Sequence, residues 1–174
     1  MFVNTVTMKN NQNVLIIFAS PHSNGHTRRS LNTFLAKNNI TEYTFFDCYT
    51  ASPYPCVACG SCASERICIH RDLDEFYNML ENATRLIIAF PVYNAGLPSP
   101  LKAVFDRLQV YYSARFVRGE NPPITIPKTV DIITTCGSSG KGYEKLLKAQ
   151  ILPALTVING KLDSYSEVLL TDKK

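Results

Sequence analysis

Apolar positions along the chain follow two alternating rhythms. Short unbroken runs rich in β-branched residues, Val14 to Ala19 (VLIIFA), Arg85 to Phe90 (RLIIAF) and the VDIITT within Lys128 to Thr135, mark strands buried on both faces. Tyr43 to Cys48 (YTFFDC) and Tyr165 to Leu170 (YSEVLL) are two further strand candidates. Between them the spacing becomes that of amphipathic helices: Leu31, Phe34 and Leu35; Leu73, Phe76, Tyr77 and Leu80; Leu101, Val104, Phe105 and Leu108. A fourth helical face carries Tyr143, Leu146, Leu147, Ile151, Ala154 and Ile158, with Pro153 predicting a kink and Asn159-Gly160 a stop. Asp72 with Glu75 has the form of a capping box, and Ser99-Pro100 that of an N-cap and first helical residue. Tyr111 to Pro127 reads as a long connection rich in aromatics and prolines, a length that points to function or to a partner.

The order βαβαβαβαβ predicts an α/β fold with a doubly wound, five-stranded parallel sheet in three α/β/α layers. One domain spans residues 1–174, with a cysteine-rich insert at 49–71. Ligands on such sheets bind beyond the carboxyl ends of the strands, where the strand order reverses. The loops 20–27, 91–98 and 135–142 follow the first, third and fourth strands and are expected to meet on one edge. The chain stops four residues after the last strand candidate, so a partner subunit is expected to shield the face that a further helix would cover.

Composition narrows the class. Hydrophobic residues make up 45% and charged residues 18% of the chain, the proportions of a globular protein rather than a disordered one. The net charge of +4 is mild and its basic residues are scattered, so no nucleic-acid partner is expected. Met1 to Asn13 lacks the apolar stretch of a signal peptide, and no apolar run approaches membrane-spanning length. These features predict a cytoplasmic protein with no membrane partner. Thiols stay reduced there, so the six cysteines are not read as a disulfide framework.

Candidate chemistry concentrates in the loops. Ser20 to Thr27 (SPHSNGHT) places hydroxyls, an amide, two imidazoles and a glycine between a buried strand and a helix N-terminus, where free N–H groups and the helix dipole attract an anion. Arg28 and Arg29 would oppose that dipole in the first helical turn unless an anion sits nearby. The loop lacks G-x-G-x-x-G and offers side-chain donors instead, which suits a terminal phosphate monoester such as that of FMN better than a pyrophosphate. From the loop alone, a polar turn that only caps the helix reads equally well.

Cys56-x2-Cys59-x2-Cys62-x5-Cys68 is the sharpest signal in the chain. Its first three spacings match the compact arrangement that wraps a [4Fe–4S] cluster, while its last is longer than in bacterial ferredoxin runs. Gly60 with Ala58, Ser61 and Ala63 leaves room for sulfides. A tetrahedral zinc site, unligated thiols and a labile disulfide are the competing readings; zinc more often joins two C-x2-C knuckles across a longer gap. Cys48 and Cys136 read as small core or loop residues, with a flavin-proximal thiol as the alternative for Cys136, and His70 reads as exposed, with a cluster or zinc role as its alternative.

Ser20-Pro21-x-x-Asn24-Gly25-x-Thr27 resembles the phosphate loop of the flavodoxin-like NAD(P)H-dependent FMN reductases. Pro91-Val92-Tyr93-Asn94 and Leu101-Lys102-x-x-x-Asp106-Arg107 match that family's P-x-Y and L-K-x-x-x-D-R segments, and the cysteine run matches its iron–sulfur flavoprotein branch. The resemblance implies a flavodoxin-like fold, an FMN phosphate among Ser20, His22, Asn24, His26 and Thr27, and an isoalloxazine ring bordered by Pro91, Val92, Tyr93, Asn94 and Gly96. Thr135, Gly137 and Ser138 would line the far edge of that ring. His22 stands where the family usually has arginine and His26 where it often has asparagine, which predicts weaker, pH-sensitive FMN binding. Tyr93 also reads as a half-buried aromatic at a strand end. Lys102, Asp106 and Arg107 read as helix-surface or dimer salt bridges. Arg115 and Arg118 read as solvated charges, with an NADPH phosphate as the alternative.

The expected function is an FMN-dependent electron-transfer oxidoreductase, carrying a [4Fe–4S] cluster and fed by NAD(P)H or ferredoxin. Family resemblance implies a homodimer or higher homo-oligomer, with Tyr111 to Arg118 as candidate contact surface. No side chain is assigned as a catalytic acid or base. The alternatives are a clusterless NAD(P)H-dependent FMN or quinone reductase, a non-catalytic flavodoxin-like carrier, against which the charge of +4 speaks, and a zinc-bearing binding module.

Overall fold

The unbroken apolar runs become the middle of a single parallel sheet. The computed structural model describes residues 12–65, 67–137 and 142–170. In chain order the elements are β1 (Val14–Phe18), α1 (His26–Lys37), β2 (Thr44–Asp47), α2 (Cys48–Ala51), α3 (Ser61–Ser64), α4 (Asp74–Asn82), β3 (Arg85–Pro91), α5 (Ser99–Arg107), α6 (Gln109–Phe116), β4 (Lys128–Gly137), α7 (Glu144–Val157) and β5 (Gly160–Leu170). The strand order is β2-β1-β3-β4-β5 with every pairing parallel, as the expected doubly wound sheet requires. Val14 to Phe18 is buried throughout because β1 has a neighbour on each edge and apolar side chains against both faces.

The two faces are unequal. Side chains of α4, α5, α6 and α7, among them Phe76, Leu80, Leu101, Val104, Tyr111, Leu147 and Ile151, form the larger core. On the opposite face the smaller cluster draws its buried helical residues, Leu31 and Leu35, from α1. Beyond α1, the β4–β5 end of that face is polar. Arg85 pairs with Asp131 at 2.8 Å and Ser164 Oγ donates to Asp131 at 2.5 Å, inside a trough of about 650 Å³. The face expected to lack a covering helix is thus surfaced by charges and hydroxyls that satisfy one another.

Several local expectations are corrected. The capping box does not form: α4 begins at Asp74 with Leu73 in the cap position, and Asp72 turns its carboxylate to Arg107. Pro98, not Ser99, occupies the cap position of α5. The supposed connection from Tyr111 opens inside α6, whose buried residues Val110, Tyr111, Ser113 and Ala114 include too few large apolar groups to show a helical stripe. Cys48 starts a helical turn instead of ending β2, and Asp47 caps that turn through the N–H groups of Tyr49 and Thr50. β5 starts at Gly160, ahead of the expected Tyr165, and β4 runs on to Gly137. Pro153 lies inside α7, as its place in the apolar pattern puts it. Among the described residues no helix is long and apolar enough to cross a membrane.

Candidate functional site

Loops leave the carboxyl ends of β1 and β3 on either side of the point where the strand order reverses. In the first, Ser20 is buried and its hydroxyl accepts from the His22 N–H at 3.3 Å. Gly25 closes the turn by donating to the His22 carbonyl, and a Cβ at Gly25 would lie 2.9 Å from His22 Cβ, so the turn closes only around glycine. Helix α1 begins at His26 with no side chain capping it, which leaves its first N–H groups for an outside acceptor. Thr27 is buried and its hydroxyl pairs with that of Thr135 at 2.8 Å, tying this loop to β4. His22, Asn24 and His26 lie exposed on the open side. Arg28 does not wait for an anion: its guanidinium lies over the rings of Phe18 and Phe45 at 4.2 and 4.4 Å, and Nε donates to the Ser23 carbonyl.

The second loop is a tight turn. The Val92 N–H donates to the Thr135 carbonyl at 2.8 Å, and Tyr93 and Gly96 exchange backbone hydrogen bonds of 3.2 and 2.9 Å around Asn94 and Ala95. Asn94 and Ala95 have φ of 48° and 59°, the left-handed pair of a type I′ turn, which asparagine tolerates and alanine adopts at a cost. This turn follows half-buried Pro91 and Val92 and presents Tyr93, 43% exposed. Thr135 and Gly137 sit on β4 itself rather than in a loop beyond it, and Ser138 lies outside the described residues. Hydroxyl and amide donors at an uncapped helix end suit the terminal phosphate of a mononucleotide, and an exposed tyrosine on a fixed turn suits the edge of a flat ring. The residues present fit FMN.

The four cysteines come together in a second place. Cys56, Cys59, Cys62 and Cys68 line one cavity of about 510 Å³ whose far wall is made by Arg107, Val110 and Ser113 of α5 and α6. Ala58 and Gly60 turn the loop through positive φ of 51° and 82°. The Ser61 hydroxyl and N–H hold the Cys59 thiol below its ordinary pKa, which favours the thiolate that binds iron. Ser113 Oγ donates to the Cys62 sulfur at 3.5 Å. No group of three or more His, Cys, Asp or Glu among the described residues is gathered closely enough to hold a metal ion. The four cysteines share the lining of one cavity without forming a single-ion site. Cys48 and Cys136 are buried, as expected, and burial pushes both thiols up.

Two arginines hold this loop, and neither role has a local sign in the sequence. Arg107 is fully buried instead of lying on the helix surface: Nη1 donates to both Asp72 oxygens at 2.7 Å and to the Tyr54 carbonyl at 3.4 Å, and Nη2 donates to the His70 carbonyl at 2.6 Å. Burial works against its charge, but Asp72, Tyr77 and Cys68 more than offset this and raise its pKa. Arg118 reaches back from beyond α6 to the carbonyls of Cys62 and Glu65, at 2.5 and 3.1 Å, and pairs with Glu120. It is a clasp on the loop, not a solvated charge. Arg115 donates to the Thr156 carbonyl. Lys102 and Asp106 form the expected exposed pair at 2.5 Å. His70 is half-buried rather than exposed and stacks on Tyr54 at 5.3 Å, while its Nε2 and the Nε of Arg107 are buried without a hydrogen-bond partner. Buried nitrogens beside a thiol-lined cavity suit an acceptor rich in sulfur. The residues present fit an iron–sulfur cluster.

The family model described as NADPH-dependent FMN reductase matches residues 12–162. An iron-sulfur flavoprotein of Methanosarcina thermophila is 46% identical over 96 residues, 55% of this chain and 47% of the relative. One of Archaeoglobus fulgidus is 32% identical over 122 residues, 68% of this chain and 57% of the relative. The chain thus spans about half the length of the curated relatives it matches. Among solved structures, an NAD(P)H:quinone oxidoreductase from Methanothermobacter marburgensis superposes with a TM-score of 0.68 at 18% identity, covering 94% of this chain and 86% of that one. A quinone reductase structure from Klebsiella pneumoniae gives 0.69 at 17% identity, over 94% and 77%. At such identities these two show the fold alone, and the fold is flavodoxin-like. The chain belongs to the NADPH-dependent FMN reductase family.

Proposed function

We propose that this chain is an FMN-dependent electron-transfer oxidoreductase whose four clustered cysteines hold a [4Fe–4S] cluster. The observation that carries this reading is that one short loop delivers Cys56, Cys59, Cys62 and Cys68 to a single cavity, in a chain whose α1 N-terminus stands uncapped beside the Tyr93 turn. When bound, FMN supplies exchange between electron pairs and single electrons, and the cluster supplies single-electron steps. Ser20, Asn24, Thr27 and the first N–H groups of α1 bind the phosphate, with His22 and His26 on its open side. Pro91 to Gly96 set the ring edge, and Thr135 and Gly137 its far side with Ser138. No side chain is asked to move a proton.

NAD(P)H is the proposed donor, with ferredoxin as the alternative; the acceptor is left unassigned. The compartment is cytoplasmic, where reduced thiols stay available to iron. A homo-oligomer is proposed because Val57, Ile69, Tyr112, Phe116 and Val117 expose apolar surface around the cysteine cavity and α6. Anaerobic reconstitution with iron, sulfide and FMN tests the reading through absorbance and analysis of iron, sulfide, zinc and flavin. Cluster and flavin together support it, flavin alone favours a clusterless reductase, and a colourless chain that refuses flavin overturns it. Bleaching of the flavin by NADPH or NADH under the same conditions separates a reductase from a passive carrier.

A further inference from the structure

Two buried side-chain nitrogen or oxygen atoms among the described residues have no hydrogen-bond partner, Arg107 Nε and His70 Nε2, and both residues line the cysteine cavity. Buried polar side-chain atoms are almost always satisfied, so two orphans in residues lining one cavity mark a missing partner there. The fold explains every other donor of Arg107. Asp72 and the carbonyls of Tyr54 and His70 take Nη1 and Nη2 and lock the guanidinium plane, which leaves Nε–H over. The His70 ring is likewise fixed by its stack on Tyr54. The acceptors a cysteine-held cluster would bring to this cavity are thiolate and sulfide sulfurs.

We propose that Arg107 Nε–H and His70 Nε2–H donate hydrogen bonds to the sulfur atoms of the cluster, and that this pair raises its reduction potential. The inference rests on the cluster reading above. Reduction adds one electron, taken from the flavin, and with it one negative charge spread largely over sulfur; no bond forms or breaks. N–H donors and a fixed cation stabilise the more negative state more strongly, so the potential rises. Asp72 neutralises much of the guanidinium charge, which leaves the directed N–H groups as the larger influence. Arg107 is therefore a positioning and tuning residue, distinct from the four ligands.

The test uses the reconstituted full chain, its iron and sulfide content, and a potentiometric titration of the reduced cluster followed by electron paramagnetic resonance. Arg107→Lys keeps the charge and loses the Nε fork; His70→Phe removes the ring donor and keeps the backbone carbonyl that Arg107 binds. Both variants are expected to carry wild-type iron and to show a lower potential, Arg107→Lys by more. Where Arg107→Lys takes up too little iron to titrate, His70→Phe decides, and an unchanged potential at full iron in that variant overturns the inference. Nitrogen hyperfine coupling to the reduced cluster in wild-type protein labelled with ¹⁵N-histidine is the direct expectation, and its absence counts against the pair. A wild-type chain that binds no cluster overturns the proposed function and this inference together; bound cluster with indifferent variants overturns this inference alone.

Discussion

The proposed flavin edge and the cysteine cavity hold their residues by opposite means. At the proposed flavin edge the frame is regular backbone: β1, β3 and β4 end side by side, α1 starts where β1 leaves off, and short contacts such as Thr27 to Thr135 lock the ends together. At the cysteine cavity the backbone is irregular, and side chains from α5 and from the segment after α6 reach across to hold it by its carbonyls. A strand end fixes position through a whole sheet; a loop must be pinned point by point. The first kind of site therefore resists single substitutions outside its tight turn, and the second concentrates its stability in a few distant residues.

Removing Arg107 is expected to break the comparison most visibly. Arg107→Gln strands Asp72 and the carbonyls of Tyr54 and His70, costing about 3 kcal/mol of unfolding free energy and loosening the cysteine loop, while FMN affinity changes little. Denaturant melts and flavin titration measure the two sides; equal damage to both sites would show that they are not held independently. Gly25→Ala reverses the pattern. Its Cβ meets His22 at 2.9 Å, so a stability loss of about 1–2 kcal/mol and weakened FMN binding are expected, with iron uptake intact.

A gentler probe is pH. Burial pushes the Asp72 carboxyl up, but the Arg107 hydrogen bond and the Tyr54 N–H together outweigh it and hold the pKa below the usual carboxylate value. A group lowered in the folded state adds stability that is fully present above its unfolded pKa and disappears as pH falls through the folded one. The stability difference between wild type and Asp72→Asn is therefore expected to be largest near neutrality and to vanish in acid; a difference that stays constant into acid removes the clamp from the account. The smallest expected effect is a gain. Ala95→Gly relieves a left-handed alanine in the Tyr93 turn, and a stabilisation of about 0.5–1 kcal/mol is expected in the same melts.

The contrast also explains what the sequence made legible. Val14 to Phe18, Arg85 to Pro91 and Lys128 to Gly137 announced the sheet because a strand buried on both faces needs an unbroken apolar run. Asp72 was misread because a capping box is a local pattern, whereas the partner that wins its carboxylate lies 35 residues away. Arg107 reads as a helix-surface residue and Arg118 as a solvated charge, and nothing in their neighbourhood in sequence foretells burial or a grip on Cys62 and His70. Helix α6 is hidden for another reason: Ser113 and Ala114 are buried in it but leave no hydrophobic stripe.

The outermost strand carries a safeguard of its own. β5 is eleven residues long and lies at the margin of the sheet, a length of open backbone on which a foreign strand could grow. The register with β4 slips between Val130 and Asp131, so that Asp163 has no opposite number, and Lys161 and Asp163 stand charged and exposed along the rim. That irregular, charged border discourages polymerisation of the folded chain through its longest strand.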